Sequence, residues 1–240
     1  MKKLKLSGSD ILPDFSVATG ITFFIITFSL IISFLTMRFS PLHSDTLLMS
    51  IWGIFSSFIL TVILLWFILI RYRIYVVQLL SHPFNYFIKG LHYYLFFLPI
   101  LFLVTIPSFY IFKKIGFVPE PQQIMSLYLQ TNSFYLLFII FFLSCIVAPF
   151  SEELIFRGII YAGFKKSFSV PLSMILSSLI FALLHNEIFV LAGLFAFGIF
   201  LSYLFEKYKN LWLSISVHFF NNLFTTIIVL IVKYFYNIEQ

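Results

Sequence analysis

The sequence predicts an all-α, polytopic membrane helix bundle of about seven to eight transmembrane helices around a polar intramembrane pocket. Three observations carry that expectation. Of 240 residues, 61% are hydrophobic and only 10% charged, and the mean hydropathy is +1.06. That is too little charge to cover the surface of a soluble domain. The apolar residues fall in continuous runs long enough to span a bilayer rather than in alternation, which disfavours a β-barrel. Finally, of the nine acidic residues only Glu152 and Glu153 lie within strongly apolar sequence. The formal charge of +6 calls for no nucleic-acid partner and reads as a bias of cytoplasmic loops.

The elements follow in order. Met1-Lys-Lys-Leu-Lys5 is basic, but Ser7 to Asp14 separates it from an apolar run of about 20 residues, too long for a signal-peptide core. That run, Val17–Met37, is the first span. A loop holding Arg38, His43 and Asp45 leads to the second, Leu47–Ile70, closed by Arg71 and Arg73. Ile74–Gly90, with His82, Pro83, Asn85 and Lys89, is mixed in polarity and reads as an interfacial helix or loop. The third span is Tyr93–Phe112, with Pro107 as a potential kink. Lys113 to Asn132 carries Pro119, Pro121 and paired glutamines, a loop leading to a short amphipathic piece. A long fourth helix starts near Ser133, kinks near Pro149 and ends near Phe164. Val170–His185, Ile188–Phe205 and Leu211–Tyr234 complete seven spans. No 20–50-residue repeat is visible, so residues 1–240 read as one transmembrane domain with a motif-bearing core at about 133–236.

Basic residues set the orientation. With a cytoplasmic N-terminus, the inner segments carry Lys2, Lys3, Lys5, Arg71, Arg73, Lys89, Arg157, Lys165, Lys166, Lys207 and Lys209. The outer ones carry Arg38, Lys113, Lys114 and Lys233. The asymmetry predicts a multi-pass cell-membrane protein with its N-terminus inside.

Glu152, Glu153 and Arg157 interrupt an apolar stretch. An ionised group at that depth costs roughly 2.5–3.5 kcal/mol or more, so it pairs or serves a site. On a helix Glu153 and Arg157 share a face four residues apart, whereas Glu152 points about 100° away, without a local partner. Two further polar clusters are Phe181-Ala-Leu-Leu-His185 and His218-Phe-Phe-Asn-Asn222. Counted from the cytoplasmic loops, Glu152, His185 and His218 lie about 20, 24 and 12–15 Å deep. Tilted antiparallel helices can bring them level, so one pocket can hold Glu152, Glu153, Arg157, His185, His218 and Asn222.

A carboxylate and an imidazole together can deprotonate water. A second imidazole and an amide can donate to a developing oxyanion. Such a set suits hydrolysis of a peptide bond within the membrane. Other intramembrane solutions fit less well: no Asp lies in a predicted span, the zinc signature His-Glu-x-x-His is missing, and no serine sits in a Gly-x-Ser-x-Gly elbow. The single cysteine, Cys145, rules out an internal disulfide and a thiolate metal cage.

The three clusters in this order resemble the CPBP family, which groups CAAX-type prenyl endopeptidases with Abi-type proteins that process or confer immunity to bacteriocins. Its Glu-Glu-x-x-x-Arg motif stands at Glu152–Arg157, Phe-x-x-x-His at Phe181–His185 and His-x-x-x-Asn at His218–Asn222. The resemblance covers about 149–224. It implies Glu152 and His185 as the water-activating pair and His218 and Asn222 as oxyanion stabilisers, with Glu153, Arg157 and Phe181 supporting the site. It also implies a peptide or propeptide substrate at the lipid bilayer in a bacterial setting. Zinc through Glu152, His185 and His218 is the alternative to a cofactor-free site, but Arg157 beside the second carboxylate opposes a divalent cation. The rival reading is a non-catalytic immunity or scaffold protein of the same fold. A proton-coupled transporter lacks its half-to-half repeat. His43, His82 and His92 read as loop or interface residues, Asn221 as interhelical glue and Cys145 as a lipid or core contact.

Overall fold

The computed structural model describes residues 13–39, 46–119 and 123–235, and contains no strand among them. In order, its helices are α1 (Phe15–Phe39), α2 (Thr46–Leu79), α3 (Pro83–Lys114), α4 (Gln123–Gln130), α5 (Phe134–Phe164), α6 (Val170–Leu184), α7 (Ile188–Tyr208) and α8 (Leu211–Phe235). Among the described residues, α3, α5, α7, α8 and the Ile59–Leu79 part of α2 are long and apolar enough to cross a membrane. The Phe15–Phe28 part of α1 and α6 are shorter apolar helices. The all-α bundle of seven apolar helices is therefore as expected, with α4 as the short extra piece. The basic N-terminal residues, His43, Asp45 and Pro121 lie outside the described residues.

Burial is inverted relative to a water-soluble protein. Trp66, Phe84, Phe96, Leu103, Phe134 and Tyr135 are exposed, while Ser173, Ser177, Ser178, Ser202 and Ser214 are buried. Hydrocarbon accepts the large side chains outside, and small residues let backbones approach inside. The most extensive packing joins α8 to α3 and α6 to α7. At the first crossing a Cβ on Gly90 would stand 2.0 Å from Ser216 Oγ and 2.5 Å from Ser216 Cβ. Ser216 Oγ donates to the Phe87 carbonyl at 2.8 Å, so the crossing is both close and polar.

One expectation is corrected. Ile74–Gly90 is not a separate helix or loop. α2 runs on to Leu79, bending at Tyr72 (φ −126°, ψ 26°), and α3 begins at Pro83, whose ring suits the first helical turn. Tyr75, Val76 and Leu79 are buried in the core, so the helix end packs on its neighbours. As expected, α3 continues through Pro107, and through Pro99 as well, to Lys114. His92 consequently sits within α3 rather than in a loop.

At one end of the bundle the connections are tied together. Asn210 Nδ2 donates to the Ser81 carbonyl at 2.7 Å and Trp212 Nε1 to the Leu80 carbonyl at 2.8 Å. Glu206 accepts from Tyr161 and Lys165, each at 2.6 Å, and also pairs with Lys209. At the other end Lys233 of α8 donates to the carbonyls of Tyr128 and Thr131, fastening the last turn of α4 over the bundle.

Gly90→Ala is expected to destabilise the protein by about 1–3 kcal/mol through overpacking. Gly20→Ala, with nothing within 4 Å of the added Cβ, should be nearly silent. Thermal unfolding in detergent of both variants, and of Gly90→Ala combined with Ser216→Gly, checks this; the second change should recover part of the loss.

Candidate active site

The site begins with a proline in the middle of α5. An unbroken α-helix would pair the Cys145 carbonyl with an N–H at position 149, which Pro149 lacks. Phe142–Val147 widens into a π-helical stretch in which the Ala148 N–H reaches back to the Leu143 carbonyl. A second wide stretch, Leu154–Tyr161, follows. Such insertions change which way successive side chains point, and are common at functional sites. Glu152 and Glu153 lie on the short α-helical piece between them.

Glu153 and Arg157 pair as expected, Nη1 to Oε1 at 2.8 Å, and both are almost wholly buried. Arg157 also donates from Nη2 to the Gly198 carbonyl of α7 at 3.2 Å and lies over the Phe181 ring, 4.7 Å from its centre. One contact was not foreseen. His218 Nδ1 meets the same Glu153 Oε1 at 2.9 Å. Spacing within one helix reveals Glu153–Arg157, whereas the His218 partner comes from α8, 65 residues away, and leaves no local signal.

The structure brings Glu152, His185 and His218 together. Glu152 Oε2 stands 3.9 Å from His185 Nε2 and 3.8 Å from His218 Nε2. His185 is the first residue past the end of α6. Its Nδ1 lies 2.7 Å from the Phe181 carbonyl, an acceptor only, so Nδ1 carries the hydrogen and a neutral ring presents a lone pair at Nε2. His218 is oriented the same way by the ionised Glu153. Two imidazole lone pairs and a carboxylate oxygen therefore converge, and Glu152 Oε2 has no hydrogen-bond partner within the protein. Acceptors facing each other at 3.8–3.9 Å call for a proton donor between them, and a water molecule bridging Glu152 Oε2 to a ring nitrogen fits those separations.

Phe181 is fully buried and wedges the constellation. Its ring meets Phe156, His185 and His218 at centroid distances of 5.2, 4.6 and 5.9 Å. Phe197, absent from the sequence-derived set, stands edge-on to His218 at 5.5 Å. In a chain with 35 Phe nothing local singled it out.

Glu152, His185, His218, Asn221 and Asn222 all line one cavity of about 600 Å³. It extends along α8 to Thr225, Thr226 and Val229, with Ile124, Met125 and Tyr128 of α4 on its wall and Leu101 and Thr105 of α3 opposite. Asn222 Nδ2 donates to the Ser144 carbonyl at 2.8 Å, and Asn221 Nδ2 to Asn222 Oδ1 at 3.2 Å. Asn221 thus joins the cavity wall rather than bridging helices. Cys145 is a core contact of Thr226.

Glu152, His185 and His218 are zinc donors by type. Among the described residues, however, no group of three or more His, Cys, Asp or Glu is drawn together to hold a metal ion. The separations of 3.8–3.9 Å suit hydrogen bonds through water.

Comparison with known proteins follows this geometry. Residues 134–224 match the family model described as "Type II CAAX prenyl endopeptidase Rce1-like", a segment that holds all three motifs. Over 87 residues the chain is 32% identical to the "Putative membrane peptidase YdiL" of Bacillus subtilis (strain 168). The aligned part is 36% of this chain and 36% of that protein, so the chain covers little more than a third of its relative. No solved structure matches.

Removing one side of the buried pair leaves a charge stranded in apolar surroundings. Arg157→Met is expected to cost about 3–5 kcal/mol, whereas Arg157→Met with Glu153→Leu should be milder. Unfolding by denaturant in micelles measures both.

Proposed function

Residues 134–224 belong to the Rce1-like family of CAAX-type endopeptidases, and from that premise we propose that this chain is an intramembrane endopeptidase. Its substrate is a membrane-associated peptide or propeptide, cut by a water molecule that Glu152 and His185 activate. The observation that carries this reading is the approach of Glu152 Oε2 to both imidazole Nε2 atoms, at 3.8 and 3.9 Å, on the wall of a cavity large enough for a peptide segment.

The reaction follows from those atoms. Water donates one hydrogen to Glu152 Oε2 and the other to His185 Nε2, which fixes the direction of its lone pair. Glu152 takes its proton as the water oxygen bonds to the carbonyl carbon of the peptide. The carbonyl oxygen becomes an oxyanion. When the C–N bond breaks, the proton held on Glu152 passes to the departing nitrogen, restoring the carboxylate. In this reading the His218 ring, once protonated at Nε2, stabilises the oxyanion. Because its Nδ1–H is given to Glu153, it donates from Nε2 only when doubly protonated, with the Glu153 carboxylate behind it to balance the charge. Asn222 retains one amide hydrogen after its bond to Ser144.

The substrates that suit such a site are leader-bearing bacteriocins, signalling propeptides or prenylated C-termini, presented from the bilayer of a bacterial cell membrane. The non-catalytic reading, a bacteriocin-immunity or scaffold protein, differs in one respect: its action does not pass through a proton on Glu152.

In proteoliposomes carrying a library of membrane-anchored reporter peptides, Glu152→Gln and His185→Ala should each lower cleavage about 10²–10⁴-fold, the usual share of general-base catalysis. Thermal unfolding should show both variants still folded. A chelator such as 1,10-phenanthroline should leave cleavage unchanged. Full cleavage by Glu152→Gln would sink the mechanism.

A further inference from the structure

The Asn222 amide has a task that does not require it to touch substrate. In the π-helical stretch the Ala148 N–H goes to Leu143, five residues back. The Ser144 carbonyl is therefore not served by residue 148, and the next donor in register is position 149, a proline without N–H. A backbone carbonyl left open inside an apolar protein is costly. Asn222 Nδ2 fills it at 2.8 Å. Asn221 Nδ2, donating to Asn222 Oδ1, holds the amide plane so that its nitrogen faces the carbonyl. Ser144 is steadied from α4 as well, where the Tyr128 hydroxyl lies 3.0 Å from Ser144 Oγ.

We infer that Asn222 is a positioning residue: by supplying the donor that Pro149 withholds from the Ser144 carbonyl, it fixes the wide turn of α5 whose register aims Glu152 at His185 and His218. The reasoning is geometric. Glu152 lies three residues after Pro149. Closing the wide turn to ordinary α-helical register would remove one inserted residue and rotate everything beyond it by about 100° relative to everything before it. A carboxylate 3.8–3.9 Å from two rings does not survive such a rotation. Asn222 thus acts on Glu152 through the backbone of α5, from the opposite helix. The inference rests on the endopeptidase reading for its effect on cleavage, but not for its effect on α5.

The test exploits the proline. Pro149→Ala restores the missing N–H, which in the wide register reaches the Ser144 carbonyl and frees it from α8; cleavage by Pro149→Ala alone at the wild-type kcat shows that this register is kept. Asn222→Leu keeps the side-chain shape and removes the donor; Asn222→Ala serves should Leu fail to fold. Hydrogen exchange of the full-length protein in nanodiscs should show the amides of 146–151 other than Pro149 exchanging at least tenfold faster in Asn222→Leu. Little change is expected when the same substitution is made on the Pro149→Ala background. Cleavage of the reporter peptides should fall in kcat with KM unchanged in Asn222→Leu, and the Asn222→Leu effect should shrink at least tenfold on the Pro149→Ala background. An equal loss of kcat on both backgrounds means that the amide acts on the substrate itself, and overturns the inference. So does unchanged exchange at 146–151. If no variant or wild type cleaves any reporter, the endopeptidase reading fails, and the exchange result still decides the inference.

Discussion

The buried ion pair and the His218 ring of the site hang from one oxygen. Glu153 Oε1 accepts from Arg157 on its own helix and from His218 on α8. The carboxylate is wholly excluded from solvent, so it is tolerated only because two donors share it. Arg157 then spends a second nitrogen on the Gly198 carbonyl and lays its charge over Phe181. One oxygen thereby couples α5, α6, α7 and α8. It also sets the tautomer of His218, and hence which ring nitrogen faces Glu152. The adjacent pair of glutamates divides the labour: one organises, and the other is left free at its outer oxygen.

That division was legible in the sequence in outline. The i, i+4 spacing of Glu153 and Arg157 announced the pair, and the excess carboxylate of Glu152 followed from it. Depth counting put His185 near the level of Glu152 and left helix tilt to bring His218 up to them, because helix rise is constant and the loops are short. What stayed hidden came from two causes. Contacts between distant helices, such as His218 with Glu153 and Phe197 with His218, depend on rotation about the helix axes, which local spacing does not encode. Helix ends were also misplaced at Ile74–Gly90. Hydropathy reports the thickness of hydrocarbon, whereas a helix continues wherever its residues find packing partners, as Tyr75, Val76 and Leu79 do.

The prolines act differently in different places. Pro99 and Pro107 sit within α3 without ending it. Pro149 disturbs its helix, and the turn before it widens by one residue. In a bilayer each orphaned carbonyl must find a donor in the protein, so a proline's effect is decided by what neighbouring helices offer. Here α8 offers an amide.

The length of α6 has a bearing on the surrounding lipid. With 15 residues it rises only about 22 Å, well short of the roughly 30 Å of hydrocarbon in an ordinary bilayer. It stops at His185-Asn186-Glu187, a polar corner whose Asn186 takes a positive φ to reverse the chain. Acyl chains meeting that corner must shorten or part, drawing headgroups and solvent inward on that flank. The bundle would thus carry its own dimple in the bilayer, on the flank where His185 lines the cavity.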